Sequence, residues 1–453
     1  MKKDWHIIMS IIIKEKKNKI YKNSMKRLIV TFLVAFAAML SFASDAEKLS
    51  LTLSIDEANN YALEHNRAMK NASLSVKQSE AARWQAIASM LPQASGSLDY
   101  TNMCGYETTM YGMPVEMNPY GGLGVKATWA VGGQQIVGAL ISDLAVEMSN
   151  IAVSKSEQVI TSNVTTTYAT ILAMQETLDL LKKNQKNLQD LYEMTLNSVK
   201  VGVAEQIDAD QLSVQVSSME SGINNTARNI EILYNTLRLL LGTGADAEIT
   251  LTSAISDIIN IESAMELLSH ELVLDENYDY QLAKKNTELS KQQVTMAGMA
   301  FVPTLAAYYQ YTGRTYFGKS EGMNTTPPNV VGVSLSVPLW SSGARSAAVT
   351  EKKLAYQASQ NDLLDTEDNL KLQDKQYRYN LVTAFENYEI QKRNITVTEN
   401  VFTNISKKFE YGYSTSLDVT NASTNLINAQ SNYISSVLEM VQAHIKLKDL
   451  LNK

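Results

Sequence analysis

Apolar residues recur along this chain with two periods, and each period is used twice. After Pro92, the run Ala94-Ser95-Gly96-Ser97-Leu98-Asp99-Tyr100 alternates small or apolar with polar positions. Leu123, Val125, Ala127, Trp129 and Val131 then share one face of a second extended run. Further on, Leu305, Ala307, Tyr309 and Tyr311 alternate, and so do Val331, Val333, Leu335 and Val337 against Gly332, Ser334 and Ser336. Period-two alternation predicts strands whose two faces meet different media. The other period is helical. From Gln135 to Lys200 and from Ala344 to Glu410 there is no proline and a single glycine, Gly138. At about 1.5 Å per residue each predicted helix is roughly 100 Å long. Leu212, Val216, Met219, Ile223, Ile230, Leu233, Leu237 and Leu240 keep 3-4 spacing, with Thr226 in one slot. Leu426, Ala429, Tyr433, Met440, Leu447 and Leu450 repeat it, as do Leu381, Phe385, Tyr388, Ile395, Phe402 and Phe409. A repeat of 3.5 residues is that of helices packed side by side as coiled coils. Ser54 followed by Asp56-Glu57 opens another helix, over 54–90, which Pro92 ends.

The order helix, strand pair, long helix, tip, helix occurs in both halves. Leu91-Pro92 answers to Val302-Pro303 at an offset of 211; Gly202 and Gly412, Asp208 and Asp418, and Leu240 and Leu450 keep an offset of 210. Such landmarks mark an internal duplication. We expect repeats over 44–245 and 271–453 joined by a connection over 246–270.

A leader is expected ahead of them. Met25-Lys26-Arg27, an apolar run from Leu28 to Leu40, and Ser41-Phe42-Ala43 form the pattern of a secretory signal peptide cut after Ala43, with translation starting at Met25. Beyond it, no window of 18 apolar residues is expected, hence no spanning helix. A net charge of −7 argues against nucleic acid as partner. The single cysteine, Cys104, excludes an internal disulfide, and His6, His65, His270 and His444 lack ligand spacing, so neither metal nor cofactor is expected. No phosphate loop, nucleophile elbow or other catalytic constellation is present, so the expectation is not an enzyme. Tyr (22) outnumbers Phe (8), which suits surfaces half apolar and half wet.

Four short strands cannot remain open hairpins, and in a bilayer only closed barrels and helices satisfy the backbone. A homo-oligomer that shares its strands would close such a barrel. Trp129, Tyr309 and Tyr311 are then candidates for an aromatic girdle at a membrane interface. Val201-Gly202-Val203 and Tyr411-Gly412-Tyr413 read as turns between antiparallel helices, each with a left-handed glycine. Asp208 and Asp418 follow these turns by six residues, where an acidic side chain also serves as a helix cap.

The chain resembles the TolC family of outer-membrane efflux proteins. The residues that carry this are the twin Leu91-Pro92 and Val302-Pro303 breaks, the strand Val333-Ser334-Leu335-Ser336-Val337-Pro338-Leu339-Trp340 with Gly343 after it, and Phe409-Glu410-Tyr411-Gly412-Tyr413-Ser414-Thr415-Ser416-Leu417-Asp418-Val419. The resemblance implies a mainly α protomer with a small β part. Its long helical hairpins and four strands would assemble as a homotrimer with a shared 12-stranded β-barrel and an α-barrel tunnel. It implies a passive exit duct for efflux or secretion, coupled through a periplasmic adaptor to an inner-membrane transporter. The tips Val201–Val203 and Tyr411–Tyr413 would touch the adaptor, and Asp418, Asn421, Asp208 and Asp210 would form the periplasmic gate. Two departures stand out. The first repeat lacks a counterpart of Pro338, and Asn421 stands where some relatives carry a second acid. The competing expectation is a secreted or periplasmic coiled-coil spacer without a pore, which needs no alternating strands.

Overall fold

The computed structural model describes residues 50–110, 112–116, 118–255, 261–317 and 327–453. The expected leader over 1–43 lies outside the described residues, as do 256–260 of the connection. The chain divides into two units. The first is 1–51 with 246–250, in which Ser50, Leu51 and 246–250 are described; they hold the facing ends of two short strands, β1 (Ser50–Leu53) and β6 (Glu248–Leu251). The second, 52–245 with 251–453, holds everything that follows.

Helix α1 (Ile55–His65) starts in a capping box: the Glu57 amide donates to Ser54 Oγ and the Ser54 amide donates to the Glu57 carboxylate. The single helix expected over 54–90 is in fact two, because α2 (Arg67–Ala88) restarts after Asn66. Asn66 leaves helical geometry (φ −59°, ψ 134°) and its side-chain oxygen accepts from the Ala68 and Met69 amides, while its Nδ2 donates to the Leu240 carbonyl. The second repeat does the same. There Asn277 caps α6 (Tyr278–Gly298) through the Asp279 and Tyr280 amides and donates Nδ2 to the Leu450 carbonyl at 3.0 Å. Each buried asparagine thus joins the start of one helix to the end of another 174 or 173 residues away.

The long helices keep the expected limits: α3 (Gly133–Lys200) and α7 (Ala344–Glu410) are followed by α4 (Gln206–Leu241) and α8 (Ser416–Leu451). The 3-4 positions form their seams, with Leu212, Met219, Ile230 and Leu237 buried on α4, and Leu426, Met440, Leu447 and Leu450 buried on α8. One cluster joins Leu381, Tyr388, Met440 and Leu447 to Ala264 and Leu267 of α5 (Ile261–Leu267). A second joins Leu188, Leu191, Leu212, Phe402, Val419 and Leu426, and so binds both hairpins near their tips. Between them the buried Asn184 donates to Gln430 at 2.8 Å, a polar pair inside the α3–α8 contact of the kind that fixes register in coiled coils. One expectation fails: a stretch of α3 is long and apolar enough to cross a membrane, yet little of it is buried within the protomer. Its aliphatic side chains are spread around the helix instead of being confined to one seam.

The strands β2 (Gln93–Thr101), β5 (Tyr120–Val131), β7 (Thr304–Tyr316) and β8 (Asn329–Ser336) form one antiparallel sheet in the order β2-β5-β7-β8. The loop between β2 and β5 contains an unexpected hairpin, β3 (Glu107–Met110) and β4 (Met113–Glu116).

Candidate functional site

Two places in the fold carry chemistry beyond packing: the faces of the sheet and the tips of the hairpins.

The register of the sheet sorts its side chains, since directly opposed residues of an antiparallel pair project from the same face. Leu98 faces Leu123, Ala94 faces Ala127, Val125 faces Tyr311, Ala127 faces Tyr309, and Tyr309 faces Val331. Continuing the rows, Trp129, Ala307 and Val333 join this face, as do Val131, Leu305 and Leu335. It contains no charged residue. Asp99, Lys126 and Arg314, the only charged residues on the four strands, all lie on the other face. The apolar face is bare in the protomer: Leu98 is 85% exposed and Val331 77%. The three girdle candidates all fall on it. The Trp129 indole donates to the Met90 carbonyl at 2.9 Å, at the end of the sheet next to the helices. The Tyr309 hydroxyl donates to Asn329 Oδ1 at 2.8 Å, and Tyr311 faces Asn329, at the end of β8 away from them.

Both tips close by the same device. Val203 N–H bonds Ser198 O (2.9 Å) and Gly202 N–H bonds Val199 O (3.0 Å); Tyr413 N–H bonds Lys408 O (2.8 Å) and Gly412 N–H bonds Phe409 O (3.0 Å). This is the Schellman closure, with the glycines at φ 77° and 75°. The flanking side chains stand out into solvent, Val203 at 82% and Tyr413 at 84% exposed, with Val201 and Tyr411 similar.

The four gate candidates are not equivalent. Asp418 closes a capping box: its carboxylate accepts from the Thr415 amide (2.9 Å), Thr415 Oγ1 (2.7 Å) and Ser414 Oγ (3.0 Å). These bonds, the Thr415 amide foremost, hold its pKa below the ordinary 3.8. Asp208 reaches the other hairpin, where its carboxylate accepts from Ser416 Oγ, with Gln211 Oε1 3.1 Å from the same hydroxyl. Asp210 accepts from Gln206 one turn back (2.8 Å), and Asn421 is exposed. Ser416, buried at the crossing, was not anticipated from the sequence, although Thr415-x-x-Asp418 spells the capping box beside it. A cleft of about 460 Å³ separates the tips, lined by Met194, Thr195 and Val203 on one side and Phe409, Tyr411 and Thr415 on the other.

The sequence profile of the family described as "Outer membrane efflux protein" matches residues 59–243 and again 270–453. The chain belongs to the outer membrane efflux protein family. It is an outer-membrane channel with a helical periplasmic extension. Outer membrane protein TolC of Vibrio cholerae is 21% identical over 441 residues, which span 92% of this chain and 95% of that protein. Among solved structures, VceC of Vibrio cholerae superposes with a TM-score of 0.70 at 16% identity (88% of this chain, 95% of that one). The open state of MtrE from Neisseria gonorrhoeae gives 0.72 at 14% (88% of each chain). CusC, described for conformational changes accompanying folding and transmembrane channel formation, gives 0.73 at 16% (88% and 91%). The efflux-protein fold thus carries the uncharged sheet face and the crossed tips in one chain. Family membership removes the poreless coiled-coil alternative. Among the described residues, no group of three or more His, Cys, Asp or Glu is placed to hold a metal ion.

Proposed function

We propose that three copies of this efflux protein assemble into one conduit whose barrel takes four strands from each protomer. One observation carries this reading: the four-stranded sheet has an uncharged apolar face and two open edges, β2 and β8. Unpaired strand edges are not tolerated in hydrocarbon, and four strands are too few to close around a lumen. Pairing β8 of one protomer with β2 of the next removes every edge and turns the apolar face to the outer-membrane lipid, with Trp129, Tyr309 and Tyr311 in its aromatic belt. The repeats over 44–245 and 271–453 each supply a hairpin to the tunnel wall, and the connection over 246–270 belongs to the belt around its middle. The aliphatic surface of α3 packs on neighbouring helices in that wall.

The conduit is passive. An inner-membrane transporter supplies the energy through a periplasmic adaptor, which meets the exposed tips Val201–Val203 and Tyr411–Tyr413. The gate lies at the same end. Asp208 and Ser416 tie the hairpins of one protomer together, and Asp418, with Asn421 one turn on and Asp210 opposite, faces the narrowed mouth. Opening swings one hairpin from the other, a change between two packed arrangements.

The test is single-channel recording from the purified protein in planar bilayers. Small discrete steps are expected from the wild type, and severalfold larger steps from Ser416→Ala, which removes the tie. A chain that stays soluble without detergent and never inserts overturns the conduit. Insertion with unchanged steps in Ser416→Ala removes the tie from the gate.

A further inference from the structure

The charged face of the sheet carries an inference that rests on the trimeric barrel just proposed. In that barrel the face opposite the lipid lines the lumen, and its charges are Asp99, Lys126 and Arg314. Asp99 and Arg314 occupy one row: Asp99 faces Gly122, which faces Arg314. The Asp99 carboxylate lies flat over Gly122, occupying the place a Cβ would take there. Arg314 lies over the Tyr120 ring, 4.9 Å from its centroid. An acid and a base in one row, with only a glycine between them, largely cancel at a distance.

Lys126 has no such compensation. It is exposed, and among the described residues it makes no ion pair. Its row holds Ser95, Gln310 and Val330, and its neighbours along β5 on the same face are Gly124 and Thr128. Gln310 is turned along its own strand, donating to Thr312 Oγ1 at 3.2 Å. The rest of the face is low: Ser97 lies over Gly124, and the Tyr308 ring covers Gly332. Lys126 is therefore the long, uncompensated side chain of the lumen wall, and a three-fold assembly repeats it as a ring of cations.

We infer that Lys126 is the charge-selecting residue of the barrel, favouring anionic solutes there and opposing the acidic tips at the other end of the conduit. Such a ring acts over a Debye length, about 10 Å in 0.1 M salt and about 3 Å in 1 M. The experiment measures reversal potentials across a KCl gradient, with Asp418→Asn in every channel so that the tip does not dominate. Lys126→Gln and Lys126→Glu should raise the potassium-to-chloride permeability ratio progressively, by about threefold for the glutamate near 0.1 M and toward no change near 1 M. Lys126→Arg should keep the parent ratio. Conducting channels with the same ratio in all four proteins would overturn the assignment and leave the barrel intact. A parent that yields no steps would overturn the trimeric conduit and the lysine ring together. Equal assembled mass and melting in detergent verify that the substitutions act on permeation and not on folding.

Discussion

The two hairpins are built on one plan and tied off differently. α4 and α8 are each 36 residues, the long helices before them are 68 and 67, and both turns close with the same Schellman bonds. Yet the second tip caps itself, with Thr415 and Asp418 satisfying each other's backbone. The first tip has Glu205 at its N-cap with no side-chain hydrogen bond there, and Asp208, the counterpart of Asp418, is committed to Ser416 of the other hairpin. Duplication preserved the backbone closure, while the side-chain chemistry diverged. One tip became self-sufficient and the other dependent.

The largest effects are expected where the repeats still agree. Asn66→Ala or Asn277→Ala removes a helix cap, about 1 kcal/mol, and leaves the carbonyl of Leu240 or Leu450 without its donor, about 1–3 kcal/mol more. Each should lower the thermal midpoint in detergent by a similar amount. A loss in one repeat alone would show that the symmetry of the clasps is geometric and not energetic.

Ser416→Ala comes next and should separate the hairpins. Removing the hydroxyl costs about 1 kcal/mol for the bond, and deprives Asp208 of its cross-hairpin donor while leaving the Asp418 box untouched. Hydrogen exchange should quicken at 206–212 and remain slow at 416–422. Equal protection of both segments would mean that the apolar cluster of Leu188, Leu212, Phe402 and Val419, and not the hydroxyl, holds the tips together.

Much of this architecture was legible because it rests on period and spacing. The limits of α7, the four long strands and the two glycine tips follow from missing prolines, from alternation and from one constant offset. The break at Asn66 was not legible. Nothing in the polar stretch Glu64-His65-Asn66-Arg67 interrupts a helical pattern, and the break is fixed by a carbonyl 174 residues away. The Asp208–Ser416 tie was hidden for the same reason, because local spacing carries no information about which hairpin faces which. The apolar stretch of α3 is not legible as a continuous run because its aliphatic residues are interleaved with polar ones such as Ser142, Asp143, Glu147 and Ser149, so it is apolar only on average.

The smallest effect separates the two caps themselves. Thr415→Ala removes the oxygen that accepts from the Asp418 amide, along with one of the three donors to its carboxylate, and should cost about 1 kcal/mol. Glu205→Ala at the matching position should cost close to nothing, since no side-chain bond is lost. Acid adds a second reading of the same contrast. The Asp418 pKa lies below 3.8, so the contribution of its carboxylate is fully present above that value and is lost only as pH falls through the lowered one. The Thr415→Ala penalty should therefore be constant from neutral pH down to mildly acidic solution and shrink only in strong acid, as read from the melting difference between variant and wild type. A penalty that already fades on mild acidification would mean that the box is not held by the ionised carboxylate, and that the second tip is no more self-sufficient than the first.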